Sequence, residues 1–375
     1  MIRFANQDTI IMCPQPVMHQ PIRTAIGATL LLAATMAHAQ SGYTVNTLTG
    51  MTYAGDMRER LDNSNIAYGN LPRFSLSGYL VGSIGGPADE TAPRAAKWNT
   101  STAVTVAASN RFSSTYMVTQ AVSDDGVWQG LWSSYDSTTK RAKGASITNA
   151  PSVNRTLDGY RYSATIRDIN NLGQMVGTQY ERSNYQPYYW ASNQGVRLDC
   201  GGCYSAMPMT INNRSEIGGW MIPPFTPGVP VPTVAVIWRN GSVAWTGDPQ
   251  VFGSNARGVA MNDAGTLVVQ SLVNPRSFTV SASGTVLQLS PQASNVVATD
   301  INAAGVVVGE ADGRAVMWVN GQPIDLAAHL AAKGVSQANT WKWTRIHDIN
   351  DKGSMLVYYT DAQNKVGLAR LTAKP

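Results

Sequence analysis

Histidine and cysteine are scarce in this chain, and charge is thin. It has four histidines and three cysteines in 375 residues. His19, His38 and Cys13 fall near the start, leaving His329, His347, Cys200 and Cys203 for the remainder. A His-rich metal centre cannot be built from that set. A His-dependent nucleophile would have to use one of two residues, neither near a Gly-x-Ser-x-Gly elbow. Charged residues make up 14% of the chain, against roughly 25% in average soluble proteins. No Lys/Arg cluster marks a nucleic-acid or anionic-lipid footprint, so neither is an expected partner. No apolar run reaches the roughly 20 residues that span a bilayer.

The longest apolar run, Ala25 to Ala34, follows Arg23 and precedes Ala37-His38-Ala39. A positive start, a short apolar stretch and small residues at both recognition positions predict a signal peptide over 1–39, cleaved after Ala39. Met18 offers an alternative start. Removing Arg3, Arg23 and Asp8 lowers the formal charge of +5 by one. The mature protein is therefore expected to be exported to the periplasm, cell surface or medium, as a monomer that inserts in no membrane.

What is plentiful is a repeated phrase: a small apolar residue, a polar turn, a Gly, then a β-branched or aromatic run often ending in a second Gly. Ile169-Asn170-Asn171-Leu172-Gly173 and Ile301-Asn302-Ala303-Ala304-Gly305 are the clearest copies, followed by Met261 to Gly265 and Ile349-Asn350-Asp351-Lys352-Gly353. Weaker ones lie at Val122 to Gly126, Ile211 to Ser215 and Ser75 to Gly78, with a further trace at Leu61 to Asn65. The spacing, roughly 40 to 50 residues, belongs to arrays and propellers.

The fourth unit shows four short segments rich in β-branched and aromatic residues: Ala206–Ile211, Glu216–Ile222, Thr233–Arg239 and Ser242–Thr246. Four strands per repeat describe a propeller blade. The fold class is thus all-β, one β-propeller over 40–375, with seven blades expected and six or eight as alternatives. The last unit stops after its third strand, near Val366 to Leu371, whereas a spare strand, Gly42 to Leu48, precedes the first. Their pairing would close the ring and remove an exposed edge.

Within each turn, Asn bonds backbone amides two residues on and Gly supplies positive φ. Asn170, Gly173, Asn302, Gly305, Asn350 and Gly353 are assigned that structural role. Asp168, Asp300 and Asp348 raise the alternative of a calcium loop, but one carboxylate and one amide per turn fall short of the 6–8 oxygens Ca²⁺ takes. No metal or cofactor is expected. Trp98, Trp190, Trp238 and Trp318, with Phe278, recur on the third strand and are read as filling between sheets, with a sugar-stacking ladder as the alternative. Cys200 and Cys203 are read as a disulfide in an exported protein. The alternatives are a redox pair or a zinc half-site.

The Ile-Asn-Asn-x-Gly-x-x-Val-Gly phrase, an aromatic on the next strand and Gly321-Gln322-Pro323-Ile324-Asp325-Leu326 together resemble the HAF-type extracellular repeat. Trp341-Lys342-Trp343-Thr344, Asp348 to Gly353 and Ala369 to Thr372 resemble that family's closing repeat. The likeness runs from about Ser41 to Pro375, although the His-Ala-Phe triplet appears only as Arg314-Ala315-Val316. It implies secretion and a propeller-like fold, and brings no catalytic residues.

In a propeller the A–B turns lie opposite the B–C and D–A connections, and the second set varies here. Ser83–Pro93, Tyr180–Tyr188 and Met221–Pro232 are read as long B–C loops beside the Cys200–Cys203 connection. Tyr180, Tyr185, Tyr188 and Phe225 are candidate contacts, on loops stiffened by Pro223, Pro224, Pro227, Pro230 and Pro232. Insertions on one face often mark a binding side, and tolerated surface insertion explains them equally. The expected function is a non-catalytic binding propeller that takes a glycan or protein partner. The alternative is a hydrolase or lyase of an extracellular polymer, using channel carboxylates; a lone Asp56, Asp124 or Glu181 cannot be promoted to that role.

Overall fold

Each repeat folds into one four-stranded antiparallel sheet, and there are seven such sheets. The computed structural model describes residues 42–48, the strand backbones of the first two repeats between 73 and 156, and residues 164–374 except 182–183, 192–194, 225–227 and 229. The side chains at 164–165, 180–181 and 184–185 are not part of that description. Several expectations therefore lie outside the described residues: the leader, the phrase copies at 61–65, 75–78 and 123–126, residues 85–93, Asp56, Asp124, Phe225, Pro227 and the side chain of Trp98.

Blade 3 comprises Ala164–Ile169, Met175–Glu181, Asn184–Trp190 and Gly195–Arg197 as strands A to D. Blade 4 comprises Ser205–Ile211, Ile217–Ile222, Val234–Arg239 and Ser242–Thr246. Blade 5 runs Ala256–Met261, Leu267–Ser271, Arg276–Val280 and Val286–Gln288, and blade 6 runs Val296–Ile301, Val307–Ala311, Arg314–Val319 and Gln322–Asp325. Successive A strands contact one another from blade 3 to blade 7, so A is the innermost strand of the array.

Blade 7 takes three strands from the C-terminus, Lys342–Ile349, Met355–Thr360 and Val366–Ala373, and its fourth from Tyr43–Thr47. Tyr43 pairs with Ala373 and Thr47 with Ala369, so the two chain ends share one sheet. Lys374 N–H donates to Gly42 O at 3.0 Å just past the register. The Tyr43 side chain is buried, which pushes its phenol up to about 12. Its ring meets His329 edge-on at 5.8 Å between centroids. His329 belongs to helix α2 (Leu326–Ala332); a shorter helix, α1 (Pro249–Phe252), precedes blade 5. Asp325 Oδ1 accepts from Ala328 N at 3.0 Å as the α2 cap. That cap turns the chain into a helix at Leu326, the last residue of the Gly321–Leu326 phrase.

Strand A carries an extra residue at an equivalent place in blades 2 to 7, where the register shifts across Gln120, Arg167, Met209, Val259, Thr299 and His347, and blade 7 has a second shift across Thr344. Such bulges sharpen local twist, as radially stacked sheets require. They also account for the second glycine of the phrase. Gly177, Gly219 and Gly309 stand opposite the residue before the bulge. A Cβ on Gly309 would collide with Val297 O, and one on Gly219 with Met207 O.

Hydrophobic clusters fill the spaces between consecutive blades. Trp190, Trp238 and Trp318 are fully buried and Phe278 nearly so, which makes this series packing. Trp238 Nε1 donates to Asp199 O at 3.0 Å and Trp318 Nε1 to Ser290 Oγ at 2.8 Å. Each of these two indoles thereby pins the connection entering its blade while filling the gap.

Candidate functional site

The A–B side is closed by a chain of asparagines. Asn170 Oδ1 accepts from Leu172 N and Gln174 N at 3.1 and 3.0 Å, shaping its own turn. Its Nδ2 donates to Asn212 O in blade 4 at 3.0 Å. The same donation links Asn212 to Asn262 at 3.1 Å, Asn262 to Asn302 at 3.1 Å and Asn302 to Asn350 at 3.3 Å. A strap of identical side chains therefore runs through blades 3 to 7. Gly173, Gly305 and Gly353 have φ of 71, 78 and 74°, as the turn assignment requires. Ser215 holds the equivalent place at φ 61°.

The following residue adds a second strap. Asn171 N donates to Asn213 Oδ1 at 2.8 Å, Asn213 N to Asp263 Oδ1 at 2.8 Å, and Ala303 N to Asp351 Oδ1 at 2.7 Å. Burial and then the charge of Asp263 raise the Asp351 pKa, against the lowering by the Ala303 amide. The in-register aspartates are similarly engaged. Asp168 Oδ2 accepts from Ile211 N at 2.8 Å, and Asp300 Oδ2 from Ile349 N at 2.9 Å, each in the next blade. These carboxylates staple sheets, which supports the structural reading over a catalytic pair. Among the described residues no three His, Cys, Asp or Glu side chains gather as a metal would need.

The opposite, B–C and D–A side is irregular. Tyr180–Tyr188 is not a loop: strands B and C of blade 3 continue through Glu181 and from Asn184, and Tyr180 pairs with Tyr185. Pro187 suggests a break because it cannot donate to a ladder, yet it pairs with Thr178 and its carbonyl accepts from Leu198 N at 2.9 Å. Tyr188 is half-buried and stacked on Trp190, with centroids 5.6 Å apart. In blade 4, Met221 and Ile222 finish strand B, and the connection proper runs from 223 to 232. It is tied down where Thr233 bridges Asn255.

Cys200 and Cys203 form a disulfide, and both are buried in the cluster between blades 3 and 4. Gly201 and Gly202 take φ of 63 and 78°, and Asp199 Oδ1 accepts from Gly201 N at 2.9 Å. This geometry makes a pinned turn beneath an exposed Tyr204. Val251 on α1 and Val273 after strand B of blade 5 are exposed on the same side.

The register also brings together residues that no sequence motif singles out. Five positions before the turn asparagine, strand A carries Thr165, Met207, Arg257, Val297 and Arg345 in blades 3 to 7. Their cross-strand partners on strand B are Thr178, Trp220, Gln270, Glu310 and Tyr358. Here the repeat equivalence ends. Arg345 reaches back to Glu310 of blade 6, with Nε and a terminal nitrogen both 2.7 Å from Oε2. Arg257 reaches back to blade 4, its guanidinium carbon 5.1 Å from the centroid of Trp220. Burial lowers the Arg257 pKa. A cleft of roughly 140 Å³ opens nearby between blades 5 and 6, among Gln270, Ser271, Pro275, Asn295, Val297 and Arg345. Arginines at one register position of the innermost strands of a charge-poor protein are the available signal, legible only after aligning the repeats on their turn asparagines.

No family model and no curated protein matches the chain. Solved structures do resemble it. The β-propeller domain of the Trilobed protease from Pyrococcus furiosus has 11% identity and a TM-score of 0.55, over 81% of this chain and 92% of that one. That domain has an open velcro topology, whereas here the first strand completes the last sheet. YCF48 bound to D1 peptide has 11% identity and a TM-score of 0.48, over 89% and 95%. TolB from Acinetobacter baumannii has 12% identity and a TM-score of 0.38, over 80% and 65%. At such identities the likeness establishes the β-propeller fold alone.

Proposed function

We propose that this protein is an exported, non-catalytic β-propeller of the HAF-repeat kind that binds a glycan through the B–C and D–A side of blades 4 and 5. The observation that carries this reading is the asymmetry between its two ends. One end spends its turn side chains on straps between blades. The other carries the exposed Tyr204, Val251 and Val273 on its D–A and B–C connections, and the proline-rich stretch 223–232 is one more connection of that side. Exposed apolar side chains grouped among polar ones mark interaction surfaces, and aromatic and proline surfaces lose little entropy on ordering. A buried disulfide is consistent with an oxidising compartment.

The experiment is glycan-array binding by the 40–375 protein and by a variant with 223–232 shortened to a Gly-Ser linker. Binding by the parent that falls in the variant supports the proposal. Equal binding by both moves the site elsewhere, and absence of binding to any glycan favours a protein partner.

A further inference from the structure

Arg257 and Arg345 occupy the same register position in blades 5 and 7 and reach toward the same position of the preceding blade. For Arg345 that position holds Glu310, and the guanidinium is neutralised. For Arg257 it holds Trp220, an aromatic face with no charge. Among the described residues no carboxylate pairs with Arg257, and its buried Nε lacks a hydrogen-bond partner. A half-buried cation without a counter-ion is costly, and the sister blade displays the carboxylate that is missing here. Stacking on an indole compensates only part of that cost, by about 0.5–2 kcal/mol in general.

We propose that the B–C and D–A end of the innermost strands holds an anion site, in which Arg257 and Trp220 receive the carboxylate and ring of a hexuronate residue of an acidic glycan. A planar fork of N–H donors matches a carboxylate bidentately, and the indole beside it offers an aromatic surface on which a sugar ring packs. Gln270, the cross-strand partner of Arg257, also lines the neighbouring cleft with Ser271 and Asn295; its Nε2 donates to Ala298 O at 2.6 Å, so the unpartnered Asn295 Oδ1 is the acceptor this cleft offers a sugar hydroxyl. That cleft is far below the roughly 300–1,000 Å³ of sites that enclose a whole small molecule. It therefore fits one unit of a chain that continues over the face. The inference rests on the glycan-binding reading of this side and names its ligand.

The test is calorimetric titration of the 40–375 protein with tri-galacturonate, its methyl ester, and a tripeptide bearing a free C-terminal carboxylate. Binding of the acid trimer is expected, about tenfold or more weaker for the ester, a loss of about 1.4 kcal/mol. Arg257→Gln should weaken the acid trimer equally and leave thermal stability unchanged or higher, because an unpaired desolvated cation is removed. Arg276→Gln, at an exposed arginine on strand C of the same blade, should leave binding within about twofold, which separates the site from general charge attraction. Should Arg257→Gln fail to fold, Arg257→Lys keeps the charge and loses the fork, and must weaken binding. Acid and ester bound alike, unchanged binding by the Arg257 variants, or binding of the peptide but not the trimer would each overturn the proposal. If shortening 223–232 abolishes binding to array glycans while Arg257→Gln changes nothing, the face reading stands and this site falls. If Arg257→Gln abolishes binding while the shortened loop changes nothing, this site stands and the loop has no part in it.

Discussion

Replacing Asn262 separates what the asparagine does for its own turn from what it does for the next blade. Asn262 is buried; its Oδ1 accepts from Thr266 N at 3.0 Å, and its Nδ2 donates to Asn302 O at 3.1 Å. Asn262→Ala removes both bonds. Each is worth about 1 kcal/mol when formed, and stranding a buried partner costs about 1–3 kcal/mol. The expected loss is therefore about 2–4 kcal/mol, since neighbouring effects do not simply add. Asn262→Asp keeps the acceptor for Thr266 but turns a carboxylate oxygen toward the Asn302 carbonyl. At neutral pH it should destabilise at least as much as alanine, and part of the loss should return in acid as the carboxyl protonates. Urea denaturation followed by tryptophan fluorescence measures both at constant m. If Asn262→Asp matched the wild type at pH 7, the inter-blade donation would be refuted; a loss below about 0.5 kcal/mol for alanine would refute the strap altogether.

Further expectations concern single residues. Gly309→Ala should destabilise by about 3 kcal/mol, the upper end of the usual overpacking cost, because its Cβ would meet the Val297 carbonyl and other backbone that cannot turn away. Gly305→Ala, in open space at φ 78°, should cost about 1–2 kcal/mol from backbone strain alone; an equal or reversed ranking in thermal unfolding would contradict the bulge account. Asp351 has a raised folded pKa, so its charge destabilises the fold as pH rises past the unfolded value. Asp351→Asn, which keeps an acceptor for Ala303 N, should raise Tm at pH 7 and leave it unchanged at pH 3. A gain equal at both pH values would show that charge is not the cause. Cys200→Ala with Cys203→Ala should lose about 2 kcal/mol by the chain-entropy account, while ligand affinity is kept, because the bond is buried beneath the face. Lost affinity at unchanged stability would give the disulfide a part in binding.

The blades are legible in the sequence because local chemistry marks them: an Asn-to-Gly turn, β-branched runs and one aromatic on strand C repeat at a fixed period. Closure is legible from a missing strand at one end and a spare at the other. The straps are not, since Asn170 and Asn212 meet only after the sheets stack; the turn pattern accounts only for the bonds each asparagine makes within its own turn. The second glycine has no reason until the bulge places Val297 O against Gly309. Blade 3 misleads for a physical cause: Pro187 and the polar residues before it read as a loop, yet pairing with strand B overrides local propensity. Helix α2 is hidden because Leu326 ends one pattern and begins another. Arg257 and Trp220 carry no local signature because their meaning lies in comparison with Arg345 and Glu310, across two blades.

The most direct measurement of which end binds is oxidative footprinting of the 40–375 protein with its strongest array glycan. The account predicts protection of Tyr204, Trp220 and Val273 on the irregular side and unchanged labelling of the exposed Leu172 at the A–B turn of blade 3. Protection of Leu172 with Tyr204 and Trp220 still labelled would contradict it.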